Sequence, residues 1–212
     1  MKRPLLVFLV SALTLLVPLA AFAANVYISE YVEGTSNNKG LEIFNNTDDA
    51  LDLGGHGYKI LLYMDGASTP TYTIPLTGVL ASRDVLVITH SSAGSTLLAR
   101  ADVTSSSLLF TGDDAVVLVA GEANTVVDAI GQVGVDPGTE WGLNLTSTAD
   151  NTLRRKADVC DADVDPSDAF DPAIQWDGYA QNTYDGVGTY TTSCQVVPVI
   201  GSTWGSIKTL YR

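Results

Sequence analysis

Val26-Tyr27-Ile28-Ser29-Glu30-Tyr31-Val32 sets Val26, Ile28 and Val32 against Tyr27, Ser29 and Tyr31 with a period of two, the signature of a β-strand with one buried face. Working outward, further strands are expected at 40–46, 51–53, 58–64, 71–76, 84–90, 108–119, 125–133 and 152–157, separated by turn clusters such as Asn45-Asn46-Thr47-Asp48-Asp49 and Gly54-Gly55. Only Ala93 to Ala101 reads as a short helix. Val85-Leu86-Val87-Ile88 and Ala115-Val116-Val117-Leu118-Val119 are unbroken apolar runs, which suit central strands. Many short strands with little helix imply an all-β sandwich of two packed sheets. Glu30 shares the alternation face of Val26 and Ile28. Either it is buried and paired with Lys39, Arg154 or Arg155, or the strand emerges into solvent there.

The N-terminus places Lys2 and Arg3 before an apolar run, Leu5 to Phe22, that closes on Ala21-Phe22-Ala23. Residues 1–23 therefore read as a secretory signal peptide, and the mature protein is expected in the periplasm or outside the cell. Its loss removes two cations, leaving nine Lys and Arg against 24 acidic residues, a net charge of −15. Such a chain repels phosphate, and Arg154-Arg155-Lys156 is its one basic cluster, so nucleic acid is a disfavoured partner. About 190 mature residues suffice for one domain with a real core.

Cys160 and Cys194, the two cysteines, are expected to form a disulfide in an exported protein. They close a long acidic loop, worth about 3 to 4 kcal/mol in the chain-entropy account. Loops 134–151 and 158–192 are long and irregular, which points to function or to stapling. Asp161, Asp163, Asp165 and Asp168 begin with the spacing of an EF-hand. Pro166 then stands where that loop needs Gly, and no Glu closes it; a looser Ca2+ site remains beside the reading of a solvated acidic loop. Gly112-Asp113-Asp114 is explained by turn chemistry. No G-x-S-x-G occurs, and the two histidines, His56 in a glycine turn and His90 at a strand end, sit in no catalytic pattern. No catalytic residue is assigned.

Trp141 and Trp176 fall in the long loops as plugs against the sandwich or as exposed partner anchors. In the tail 195–212, Trp204, Ile207, Lys208 and Tyr211 share one helical face, a pattern for docking into a groove. The tail resembles short Trp-Gly tails at the ends of other exported bacterial proteins. A sorting tag and packing back on the sandwich are both open.

Val26-Tyr27-Ile28-Ser29-Glu30-Tyr31-Val32-Glu33-Gly34 and Ser36-Asn37-Asn38-Lys39-Gly40-Leu41-Glu42-Ile43-Phe44-Asn45 resemble the opening of a bacterial lamin tail domain. The resemblance continues through Leu51-Asp52-Leu53-Gly54-Gly55, Phe110-Thr111-Gly112-Asp113-Asp114-Ala115-Val116-Val117-Leu118, Val127-Asp128-Ala129-Ile130-Gly131 and Asp150-Asn151-Thr152-Leu153-Arg154-Arg155-Lys156, marking 25–194 as the domain. It implies an immunoglobulin-like β-sandwich. Relatives of this kind often precede the metal-dependent catalytic domain of extracellular nucleases. No such domain follows here, so nuclease activity is not expected to transfer. The expectation is a secreted, non-catalytic module that binds a protein or cell-surface partner. The alternatives are an accessory unit of a nuclease system, contacting nucleic acid or the nuclease, and a surface structural protein assembling through sheet edges.

Overall fold

The computed structural model describes residues 25–194; residues 1–23, read above as a signal peptide, and the tail 195–212 lie outside them. One sheet takes β1 (Val26–Glu33), β2 (Lys39–Asn45), β7 (Val85–His90), β8 (Val103–Ser105), β13 (Asn151–Arg155) and β14 (Trp176–Ala180). Its order is β14-β13-β1-β2-β7-β8, and only the β7–β8 pair is parallel. The facing sheet takes β4 (Lys59–Tyr63), β5 (Tyr72–Pro75), β9 (Ala115–Ala120) and β10 (Thr125–Ile130) in the order β10-β9-β4-β5. Two small ribbons, β3 (Leu51–Asp52) with β6 (Val79–Leu80) and β11 (Gly142–Leu143) with β12 (Thr146–Ser147), complete the strands. Among the described residues the α-helices are single turns, α1 (Ser95–Leu98) and α2 (Pro172–Gln175), with one 3-10 turn at Met64–Gly66. This is the expected immunoglobulin-like sandwich.

Val26, Ile28, Tyr31, Leu41, Ile43 and Ile88 of the first sheet meet Ile60, Leu62, Val116, Leu118 and Ile130 of the second, all essentially inaccessible. The two unbroken apolar runs fall on β7 and β9, each flanked by a strand on both sides. The simple alternation read for β1 does not survive, because the β1–β2 register shifts between Ile28 and Glu30. A bulge inserts one residue and reverses the faces beyond it. Tyr31 therefore enters the core and Val32 packs outside, with Val87, Leu97 and Val187.

All eight residues of β1 are buried because the sheet's outer face is covered too. The cover is the strap 181–194. Tyr190 packs edge-on against Tyr27 and Phe44, the Val187 carbonyl accepts from Arg100, and the Thr183 carbonyl accepts from Thr152. The Cys160–Cys194 disulfide ties down its end. Segment 158–192, read as irregular, thus holds α2, an edge strand and this strap. The strand expected at 108–119 begins only at Ala115; Leu108 and Phe110 are buried from a turn, so apolarity there reports core contact without pairing. The helix read at Ala93–Ala101 shrinks to Ser95–Leu98.

A buried ion pair joins the sheets. Asp128 of β10 and Arg155 of β13 are fully inaccessible and bonded to each other. Asp128 accepts the Ile28 N–H at 2.8 Å, and Arg155 Nε donates to the Ile28 carbonyl at 2.8 Å. The pair thus takes the place of a neighbouring strand for that residue's backbone. A second bulge, between Val126 and Asp128, turns the carboxylate to the core face. Asp128→Asn and Arg155→Met should each destabilise the domain by about 3–5 kcal/mol. The apolar double replacement Asp128→Leu/Arg155→Met should recover little, since it leaves the Ile28 backbone groups unpaired. Urea unfolding midpoints of the four proteins measure this.

Candidate functional site

The acidic loop after Cys160 is held from beneath by the same ion pair. Asp128 accepts the Asp163 N–H at 2.8 Å, while Arg155 Nη1 reaches the Asp161 carbonyl and Gln175 Oε1. The Pro166 carbonyl accepts from Val133 N and the Ser167 carbonyl from Gln132 Nε2. Asp171 caps α2 by accepting the Ala173 N–H at 2.9 Å, with Pro172 at the first helical position.

These anchors shape a cleft of about 300 Å³ whose walls include Asp163, Val164, Asp165, Asp168, Phe170 and Ile174. Val164 and Ile174 are 58% and 67% exposed. Against α2 lies the β11–β12 hairpin, which carries two more exposed apolar side chains, Leu143 and Leu145. Burial pushes the Asp163 carboxyl up to about 6, and the charges of Asp168, Asp128 and Asp165 add to it. The Ser167 hydroxyl and N–H hold Asp165 below its ordinary value. One end of the domain therefore presents apolar side chains among carboxylates.

Of the four aspartates considered for Ca2+, Asp165 spends one oxygen on Ser167, and Asp163 accepts from the Asp165 N–H. Among the described residues the one group of three or more His, Cys, Asp or Glu whose ligand atoms lie within 4.8 Å of one another is elsewhere: Asp65, Asp113 and Asp114. There Asp114 is occupied by the Asp65 N–H and by the Thr111 N–H and hydroxyl. These bonds organise the turn before β9.

Glu30 is buried and pairs with Arg154 at 3.2 Å. Lys39 binds Glu33 instead, and Arg155 is taken by Asp128. The bulge places Glu30 on the outer face opposite Glu42, beneath the strap, where Gly186 packs on Arg154 and Glu30. A side chain at Gly186 would collide with both. Burial raises Glu30 to about 7; Arg154 opposes this and Glu42 adds to it. Burial also raises Glu42, opposed by the Ser29 hydroxyl and the Gly188 N–H. Perturbed carboxyls of this kind are common at catalytic sites. Here they fasten the strap, with Arg154 also reaching Asp185.

His56 Nδ1 lies 2.7 Å from the Asp52 carbonyl, and His90 Nδ1 accepts the Ser92 N–H; both serve turns. Trp141 is 7% and Trp176 1% exposed. Trp141 meets Phe170 edge-on and Trp176 lies against the Arg155 guanidinium. Both are buried against the sandwich, Trp176 within the core and Trp141 over Gly131 and Phe170, so neither is an exposed anchor. Trp204, Ile207 and Tyr211 lie outside the described residues. The exposed apolar residues at this end that sequence reading passed over are Leu143, Leu145, Val164 and Ile174. Isolated apolar letters in polar loops carry no periodicity to mark them.

The family model of the Lamin Tail Domain matches residues 20–134. The chain belongs to the lamin tail domain family. Lamin tail domains are non-catalytic, immunoglobulin-like modules of a binding or structural kind. No curated protein matches the chain. The matched stretch ends before β11. The stretch 150–156 lies beyond it, yet forms β13 of the same sheet, and the disulfide and the cleft follow. Beyond the matched residues lie β13, the edge strand β14, the strap and the acid-lined cleft. Among the described residues no helix is long and apolar enough to cross a membrane. The disulfide is compatible with an oxidising, extracellular location.

Two measurements follow from the carboxyls. Between pH 4.5, where an unfolded Glu titrates, and about 7, the folded domain holds a proton on Glu30 that the unfolded chain has lost. This group's contribution to stability therefore falls as pH rises through that window. Glu30→Gln should flatten that part of the curve of melting temperature against pH. In a thermal melt, millimolar calcium should leave the midpoint where EDTA leaves it; a rise of several degrees would instead put a cation among the cleft aspartates.

Proposed function

We propose that this lamin tail protein is exported through residues 1–23 and works at the cell surface or in the extracellular matrix as a non-catalytic binding module. It engages a protein or cell-surface partner through the cleft between the acidic loop and α2. The observation that carries this reading is the gathering of Val164 and Ile174, exposed, among Asp163, Asp165 and Asp168 in one cleft. Exposed apolar groups rimmed by charge are what a docking surface presents. That charge selects a partner segment that is apolar and basic.

The pairing of the buried ionisable groups supports a binding role over a catalytic one. Asp128 with Arg155, Glu33 with Lys39 and Glu30 with Arg154 each fix a strand or the strap. A mature charge of −15 works against contact with a phosphate backbone.

Retention on envelopes of the producing cell tests the proposal. The purified mature protein should be retained, and Val164→Ser/Ile174→Ser should lose most of that retention while melting as the parent does. The same protein should not retard duplex DNA at 50 mM salt. Salt-sensitive retardation, with retention indifferent to the cleft, would favour the nuclease-accessory reading.

A further inference from the structure

The sequence is polarised in charge around this cleft. Asp158 to Asp171 holds six aspartates and no basic residue, whereas 195–212 holds Lys208, Arg212 and no acidic residue. The apolar content is complementary as well. The cleft offers Val164, Phe170 and Ile174, and the segment from Thr203 brings Trp204, Ile207, Leu210 and Tyr211.

The disulfide sets where that segment starts. Cys194 is bonded to Cys160 with their Cα atoms 5.4 Å apart, and Ala162, two residues after Cys160, lines the cleft. Two residues span at most about 7 Å, and the ten steps from Cys194 to Trp204 span up to about 35 Å. The tail therefore leaves the domain beside the cleft and has length to spare to enter it. A short tether of this kind gives a local concentration on the order of millimolar, which favours the chain's own tail over a second copy's.

From these facts we infer that residues 203–212 dock in the acid-lined cleft of their own domain. Lys208 and Arg212 supply the charge complementary to Asp165 and Asp168, and Trp204 and Ile207 the apolar groups complementary to Val164 and Ile174. The inference rests on the reading of the cleft as a binding surface and names its resident occupant. An external partner then gains the cleft by displacing the tail. The disulfide, besides stapling the loop, fixes the point from which the tail is delivered.

Zero-length carbodiimide coupling of the full mature chain, followed by peptide mapping, tests the inference. The expected product is an intramolecular link from Lys208 to Asp163, Asp165 or Asp168. Acrylamide quenching of Trp204, isolated as the difference between wild type and Trp204→Phe, gives a second readout, since Trp141 and Trp176 are buried. Ile174→Arg, at an exposed position that leaves the fold intact, should raise the Trp204 quenching constant about threefold by placing a like charge in the cleft. Three results overturn the inference: Lys208 links only to other carboxylates, links between two chains, or Trp204 equally accessible in wild type and Ile174→Arg. If it fails while envelope retention still depends on Val164 and Ile174, the cleft remains a partner site without the tail. If the cross-link forms and retention ignores those residues, the tail docks and the partner surface lies elsewhere.

Discussion

The buried pair of Asp128 and Arg155 is the contact on which the rest of the domain depends. Removing two charges from water costs several kcal/mol each, and attraction repays this only where every remaining lone pair and proton is used. Here they are used on backbone. Asp128 takes N–H groups from β1 and from the acidic loop. Arg155 spends its donors on the Ile28 carbonyl, Asp128, the Asp161 carbonyl and Gln175, with the Trp176 ring 4.6 Å from its guanidinium carbon. One ion pair thereby joins both sheets, the acidic loop, α2 and β14. Elements within the matched residues 20–134 and elements beyond them share this fastening.

Covering the outer face of the six-stranded sheet has a further cost, which shows in the titrations. Glu30 and Glu42 face each other across β1 and β2 beneath the strap. Burial pushes both toward the protonated form, and at Glu30 the charge of Glu42 adds to it. The strap answers with Arg154 bridging to Asp185, the Gly188 N–H on Glu42, and aromatic contacts through Tyr190. A disulfide at its end limits how far it can leave the sheet when those contacts weaken. Groups that would suggest acid–base catalysis in an open pocket are here part of a closure.

The proposed binding cleft lies beyond the residues that the family model matches. Residues 20–134 supply most of both sheets, a scaffold whose buried charges are committed to holding strands together. Residues beyond supply the hairpin with Leu143 and Leu145 and the loop that forms the cleft. A loop anchored at several points by a rigid sandwich can vary its exposed side chains without disturbing the core.

The sequence by itself determined the sandwich, the central strands at β7 and β9, the Cys160–Cys194 pairing and the acidic character of the loop. Each rests on local periodicity, composition or a count of two cysteines, and these are properties a linear chain displays. Tertiary structure alone decided which way Glu30, Tyr31 and Val32 face, because a bulge is one residue of register against a partner strand and leaves no mark in the letters. It also decided that Arg154, and neither Lys39 nor Arg155, closes on Glu30, and that Trp141 and Trp176 are buried. Leu143, Val164 and Ile174 became a surface only once the hairpin, loop and α2 were brought together. Pairing partners 27 or more residues apart are chosen by three-dimensional packing, where the penalty for an unpaired buried charge selects a single arrangement from several that local sequence permits.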